Sequence, residues 1–386
     1  MSAPPRGFPA SEYRARVARA QSRMADRGLA ALLLTTEADL RYFSGFLTRF
    51  WESPTRPWFL IVPREGDPVA VIPAIGAALM ARTWITDIRT WPAPCPADDG
   101  VSLLAETLTE VAGHGGHVGL PMGLESQLRM PLADWRRLRA RAGVGFTDDG
   151  GIPRGLRMVK SEAEIDRIRA ACAVADRAFA RVPEIARAGV PLDEVFRWFQ
   201  CLCLEEGADW VPYLAGASGP GGYADVISPA GPYPLRRGDV LMLDTGVMRD
   251  GYFCDFDRNF SVGTPSPQVQ AAHGALIDAT QEAATAARPG QTAAGLFQVL
   301  HDALARRGTP GSGRLGHGLG MQLTEGLSLI PDDPTVLEAG MVLTLEPGIE
   351  LGPERVMVHE ENIVIREEGC TFLSTPAARD ILLLEG

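Results

Sequence analysis

Two stretches of this chain run through apolar residues to a carboxylate and then a glycine: Leu235–Gly246, LRRGDVLMLDTG, and Leu337–Gly348, LEAGMVLTLEPG. Both read L-x-x-G-x-V-L-x-L-[Asp/Glu]-x-G, and they lie about a hundred residues apart. A turn glycine, an apolar strand and a terminal acid that recur together mark an internal repeat. Halves packed as related units would bring Asp244 and Glu346 to equivalent strand ends, facing each other across a pseudo-twofold axis. Each copy is followed by a second acidic stretch. In GYFCDFDRNF (251–260), a period of two puts Phe253, Asp255, Asp257 and Asn259 on one face and Tyr252, Cys254, Phe256 and Phe260 on the other. In RVMVHEENIVI (355–365), the same period groups His359, Glu361, Ile363 and Ile365 opposite Glu360.

Carboxylates crowded together repel one another unless cations lie between them. A cluster of Asp244, Asp255, Glu346 and Glu361 holds more charge than one proton relieves, and divalent metal is the natural counter-charge. One of the six histidines, His317, stands between two glycines in RLGHGLGMQLTE (314–325). Those glycines let backbone approach closely and leave the ring uncluttered. With His317 the set offers five ligands, mostly oxygen, which suits a two-metal site better than a single zinc. Asp257, two residues past Asp255, reads in three ways: support for a ligand, an additional ligand, or an acid paired with Arg258.

The elements that would position these groups are legible in part. Ser11 can cap a helix whose buried stripe is Tyr13, Val17, Ala20 and Met24, with Gly28 as its stop. AALLLTT reads as a strand, PWFLIVP and VAVIP (57–63, 69–73) as a hairpin, VSLLAETLTEVAG as a helix and HVGLP (117–121) as a strand. The first part of the chain is therefore an α/β domain. The turn-rich TDDGGIPRG (147–155) serves as the linker, which divides the chain into domains 1–150 and 151–386. Beyond it Ser161 and Glu164 make a capping box ahead of a helix with Ile165, Ile168, Cys172, Ala175 and Phe179 on its buried side. Further helices are expected at about 192–206, 267–287 and 293–307, with the acidic strands between and after them.

Composition limits the partners. The net charge of −11, from 37 basic and 48 acidic residues without a basic tail, argues against nucleic acid and for a cleft that attracts cations. No run of about eighteen apolar residues exists to span a bilayer, and the N-terminus lacks the pattern of a signal peptide, so a cytoplasmic location is expected. The six cysteines show no CxxC spacing and read as reduced, mostly buried thiols. His114, His117, His273 and His301 read as ordinary surface or core histidines.

The ordered set Asp244, Asp255, His317, Glu346 and Glu361, together with GLRMVKSEAEIDRIRAA (155–171) and LRYFSGF (40–46), resembles the pita-bread metallohydrolases: Xaa-Pro aminopeptidases, prolidases, methionine aminopeptidases and creatinases. The resemblance covers nearly the whole chain. In such enzymes the metals are bound by an aspartate in a D-x-G strand end, a second aspartate eleven residues on in a GYxxD strand, a GHGxG histidine, a glutamate before Pro-Gly and a late glutamate. The resemblance implies an α/β (α+β) fold, with an N-terminal creatinase/prolidase-like domain followed by a pita-bread catalytic domain built on an internal pseudo-twofold repeat. It implies two divalent ions, manganese first, with cobalt, iron or zinc behind it. Asp244 would hold one ion, His317 and Glu346 the other, and Asp255 and Glu361 would bridge. A metal-activated water would attack the scissile carbon, with Glu346 handling the proton. In creatinase-like homodimers the N-terminal domain of one subunit reaches the neighbour's active site. That makes Trp51, Glu52 and Arg56 of TRFWESPTRPW (48–58) candidates for substrate contact.

Two departures bear on the substrate. Prolidases and aminopeptidases carry a histidine seven residues past the GHG histidine; here that position is Thr324, with Glu325 retained after it. They also carry a histidine upstream of the first aspartate, where this chain reads SGPGGYADVISPAG (218–231), with Asp225 or Val226 near that place. A hydroxyl and a carboxylate offer different donors and charge from an imidazole. Thr324 and His359 are further catalytic candidates, and Asp225, Trp210, Tyr213 and Glu325 are candidates for contact with the substrate. The leading reading is a metal-dependent hydrolase of the Xaa-Pro peptidase type, acting on a short peptide. The second is a non-peptidase enzyme on the same fold, a creatinase-like amidinohydrolase or a lyase acting on a small polar molecule. The third is an inactive binding module, against which the full ligand set argues.

Overall fold

The apolar runs of the N-terminal third assemble into a six-stranded mixed sheet. Its strands are β1 (Ala31–Leu34), β2 (Phe59–Pro63), β3 (Val69–Pro73), β4 (Asp87–Trp91), β5 (His117–Leu120) and β6 (Gly145–Asp148), in the order β4-β3-β2-β1-β5-β6. β2 pairs antiparallel with β1 and β3, and the remaining pairs are parallel. β1, β2 and β3 are buried along their whole length, as their unbroken apolar runs require. The helices Val101–Ala112 and Leu132–Arg141 cover the sheet through Leu104, Leu108 and Leu138. The first helix, Ala10–Asp26, takes Pro9 as its N-cap; Ser11 lies inside its first turn and does not cap it. The structure is a computed structural model, and it describes residues 4–53, 56–308 and 313–386.

The chain divides into two compact units, Arg6–Arg157 and Met158–Gly386, with Pro5 grouped in the second. The join therefore falls after residue 157 and not at 150. The reason is local: Ile152–Met158 is a helix with Ile152, Pro153, Leu156 and Arg157 buried. The Leu156 carbonyl accepts the Tyr42 hydroxyl at 3.2 Å, and Arg157 pairs with Asp39 at 2.8 Å.

In the second unit the repeat is visible in the backbone. β7 (Trp210–Pro220), β8 (Asp239–Arg249), β9 (Tyr252–Phe253) and β10 (Phe256–Val262) make one half-sheet; β11 (Val342–Leu345), β12 (Gly348–Gly352), β13 (Arg355–Val358), β14 (Glu361–Arg366) and β15 (Gly369–Phe372) supply the second. The short β16 (Leu382–Leu384) joins the edge of β10. Leu235 and Leu337, the first residues of the two motifs, are each 1% exposed. Leu235 exchanges backbone hydrogen bonds with Gly189 and Val190, and Leu337 does the same with Gly290 and Gln291. Gly238 and Gly340 turn the chain into the strands at φ +92° and +93°, a conformation that a side chain would strain.

Each half is backed by a helix pair. Glu162–Ala180 and Leu192–Glu205 lie behind the first, where Phe179 packs on Phe199 and Phe256. Pro267–Ala286 and Ala293–Ala305 lie behind the second, where Leu296 and Leu300 meet Leu343, Leu345, Ile363 and Ile365. Ser161 and Glu164 form the capping box read from the sequence. The strands that lead to the acids are thereby backed in both halves by the buried faces of a helix pair.

Candidate metal centre

Asp244 sits within β8, with its Cα opposite Asp257 of β10 and Ala215 of β7. The Tyr213 hydroxyl donates to Asp244 Oδ2 at 2.8 Å, while Asp244 Oδ1 is buried without a hydrogen-bond partner in the protein. Asp255 lies between β9 and β10 and is clamped by Asn362: its N–H donates to Asn362 Oδ1 at 3.0 Å, and its carbonyl accepts from Asn362 Nδ2. Glu346 follows β11 and accepts the Thr344 hydroxyl at Oε1. Thr344 also takes the backbone N–H of His317 at 3.0 Å.

The glycines around His317 have the expected purpose. A Cβ on Gly316 would stand 2.4 Å from the Thr344 carbonyl oxygen, and one on Gly318 would stand 2.2 Å from that of Glu325. The close approach sets the ring. His317 Nδ1 lies 2.9 Å from the Gly318 carbonyl oxygen, which can only accept, so Nδ1 carries a hydrogen and Nε2 is the nitrogen left for a metal. Nε2 points at Glu346 Oε1 (2.8 Å) and Asp255 Oδ2 (3.2 Å).

Two groups of ligand atoms result. Asp255, His317 and Glu346 offer atoms within 4.8 Å of one another, and so do Asp244, Asp255 and Glu360. Asp255 belongs to both. Among the protein groups alone the charge is costly. Burial, then repulsion from Asp255 and Asp257, drives the Asp244 carboxyl well above the ordinary range, and burial with Asp244, Glu346 and Asp255 does the same to Glu360. Asp255 is pushed up to about 6 by burial, against the pull of His317. Burial would also lower His317 and raise Glu346. Their mutual attraction prevails, lifting the imidazole to about 10 and holding the glutamate below its usual value. Four carboxylates, of which Asp244 has an orphaned buried Oδ1, and one imidazole nitrogen fit two divalent ions sharing Asp255.

Glu361, expected as the bridging glutamate, is elsewhere. It accepts from Arg258 Nη2 at 3.1 Å, from the Ser374 hydroxyl and from the Ala377 N–H at 2.7 Å. Burial notwithstanding, Arg258 and His359 hold it down to about 2. Glu360 takes the place in the cluster. The alternation of the strand is as read, but Glu361 shares its face with the core residues Ile363 and Ile365, whereas Glu360 shares its face with Asn362, the clamp on Asp255. The apolar partners of Glu361 were the signal that could have identified the right residue.

His359 is likewise not placed for catalysis. It is 1% exposed, with Nδ1 3.3 Å from Asp257 Oδ1 and Nε2 3.3 Å from Glu361 Oε1, outside both groups of ligand atoms. Asp257 is a support: its Oδ1 accepts the Glu360 N–H at 2.7 Å, and its Oδ2 accepts from Asn259 at 3.2 Å. Arg258 takes the Asp257 carbonyl and pairs with Glu361. Thr324 is half-buried, and Glu325 is buried in an ion pair with Lys160 at 3.0 Å. Tyr213 reaches the cluster directly; Trp210, three residues earlier on β7, is half-buried opposite Met248. Asp225 is exposed, and its carboxylate accepts from Ile227 and Ser228 of its own turn.

Trp51, Glu52 and Arg56 belong to the N-terminal unit. Arg129 stacks over Trp51 at 5.2 Å and donates to its carbonyl, Arg56 lies 5.0 Å over Phe50, and Glu52 is exposed. Pro54 and Thr55 of that loop lie outside the described residues.

Comparison with known proteins places the chain in a family. Metallopeptidase family M24 matches residues 166–367, and the Creatinase/Prolidase N-terminal domain matches residues 16–159. A protein named probable dipeptidase PepE from Mycobacterium tuberculosis is 32% identical over 376 residues, 96% of either chain. An Xaa-Pro dipeptidase from Pyrococcus horikoshii is 29% identical over 269 residues, 68% of this chain and 74% of that one. The crystal structure of dipeptidase PepE from Mycobacterium ulcerans superposes with a TM-score of 0.84 at 29% identity, covering 98% of this chain and all of that one. The chain therefore belongs to metallopeptidase family M24, the metal-dependent hydrolases of pita-bread fold that include the prolidases, and it carries a creatinase/prolidase N-terminal domain.

Proposed function

We propose that the chain is a dinuclear-metal dipeptidase acting on short peptides, with Xaa-Pro dipeptides as the first substrates to test. The observation that carries this is Asp255, common to two groups of ligand atoms each within 4.8 Å. Asp244 would hold one ion, His317 and Glu346 the other, with Asp255 and Glu360 between them. Two divalent ions bound there would activate a water and polarise the scissile carbonyl. Glu346 would take the proton of the attacking water, and Tyr213 keeps Asp244 turned toward the cluster. Manganese is our first choice, because carboxylates dominate the set. Relatives named dipeptidase and Xaa-Pro dipeptidase support the substrate class. We further propose a cytoplasmic homodimer in which Trp51, Glu52 and Arg56 contact substrate in the neighbouring subunit. Among the described residues no helix is long and apolar enough to cross a membrane.

Thr324 favours a second reading. It stands where relatives of this type place a histidine that holds the substrate amide, so a small polar non-peptide substrate is the alternative, cleaved by an amidinohydrolase or lyase reaction. The test is a series of dipeptides with proline second, assayed after loading with Mn²⁺ or Co²⁺ and with bound metal counted. Turnover establishes the peptidase. Full metal occupancy without turnover rejects it in favour of the second reading, and fewer than one ion per chain rejects both.

A further inference from the structure

Lys160 is the only lysine among the 37 basic residues of this chain; every other cation is arginine. It is 5% exposed, its Nζ lies 3.0 Å from Glu325 Oε1, and its backbone N–H donates to the Gly340 carbonyl at 3.0 Å. The pair fills space that the glycine-rich loop leaves open. A Cβ on Gly320 would stand 2.2 Å from Glu325 Oε1 and 2.9 Å from Lys160 Cε. An ammonium on a flexible stem fits there, whereas a planar guanidinium fork needs more room.

The pair also reaches the metal centre by a short path. The Glu325 N–H donates to the Gly318 carbonyl at 2.8 Å, and that same oxygen faces His317 Nδ1 at 2.9 Å. Gly318 N–H in turn donates to the Leu327 carbonyl at 2.9 Å, so both backbone groups of Gly318 are bonded to the segment that Glu325 begins. The carbonyl that orients the imidazole is thus held in place by the backbone of the residue that Lys160 anchors. A histidine that ligates metal depends on the partner of its other ring nitrogen, and loss of such a partner weakens metal binding by roughly 10–100-fold.

We propose that Lys160 is a positioning residue for His317, fixing Glu325 and through it the Gly318 carbonyl, so that Nε2 is presented to the ion held with Glu346. This rests on the dinuclear reading of the site. The test is a Co²⁺ titration of the full chain stripped of metal, followed by calorimetry and by the visible absorption of bound cobalt. The variants are Lys160→Met/Glu325→Gln, which removes both buried charges together, and Lys160→Arg. Wild type should take two ions. The double variant should melt close to wild type, keep one ion at wild-type affinity, and bind the second at least tenfold more weakly with altered cobalt bands. Lys160→Arg should show the same loss. Two ions bound within threefold of wild type in the double variant, or full recovery in Lys160→Arg, would overturn the proposal. Wild type that binds no cobalt would overturn the dinuclear reading itself, and the proposal with it.

Discussion

Replacing Glu360 and Glu361 one at a time should give opposite results on two measurements, because adjacent residues on a strand face opposite ways. Glu360→Gln removes a carboxylate that burial and its acidic neighbours already destabilise. The metal-free protein should therefore melt no lower than wild type. Its affinity for Co²⁺ should fall by about a hundredfold, or about 2.7 kcal/mol, since a direct ligand is lost. Glu361→Gln should do the reverse. Its carboxylate pairs with Arg258 at 3.1 Å, the two side chains being 1% and 7% exposed, and it takes two further hydrogen bonds. Breaking a buried pair on one side costs about 3–5 kcal/mol, and the amide oxygen that glutamine keeps points to the lower end. At about 2–4 °C per kcal/mol for a domain of this size, the Tm should drop by about 6–12 °C. Cobalt affinity should stay near wild type. Melts in EDTA and calorimetric titrations at pH 7.5 read both quantities. If Glu361→Gln abolished metal binding in a protein that melts normally, or Glu360→Gln bound cobalt within threefold of wild type, the orientation described for β14 would be wrong.

Tyr213→Phe removes a hydrogen bond to the Asp244 carboxylate, a kind worth about 1.5–3 kcal/mol, so metal affinity at that position should fall by tenfold or more; an unchanged isotherm would contradict the role given to the hydroxyl. Free Mn²⁺ at a hundred times its Kd should stabilise wild type by about 2.7 kcal/mol. No upward shift in a thermal melt would count against the metal centre. Asp149 tests a charge outside the site. Burial raises its carboxyl to about 6, so the folded state favours the proton, and stability should decline as pH rises from the ordinary carboxylate range through about 6. Asp149→Asn keeps an acceptor for the Gly151 N–H and should raise the Tm at pH 7.5 but not at pH 4; equal shifts at both would refute the assignment.

Much of this molecule is legible in its sequence because the repeat is written there twice. Gly238 and Gly340 mark the same turn and Leu235 and Leu337 the same buried anchor, but the two acids are not at equivalent strand ends: β8 runs on through Asp244, whereas β11 stops just before Glu346. The glycines around His317 announce a close backbone approach, which the carbonyls of Thr344 and Glu325 make. Apolar periodicity places the longer helices it identifies within a residue or two, since burial of one stripe dictates their phase, while the shorter Glu37–Ser44 and Leu132–Arg141 escape it. Three things depended on the tertiary structure. Residues 147–155 read as linker, yet from Ile152 the chain forms a helix, Ile152–Met158, whose end is bound to Tyr42 and Asp39, partners more than a hundred residues away. A period of two states which residues of β14 share a face, but only the packing of Ile363 and Ile365 into the core turns Glu361 inward and aims Glu360 at Asp255. A single lysine in a row of letters has no partner; the fold supplies Glu325. Local pattern fixes what each residue can do, and long-range packing decides which neighbour it does it with.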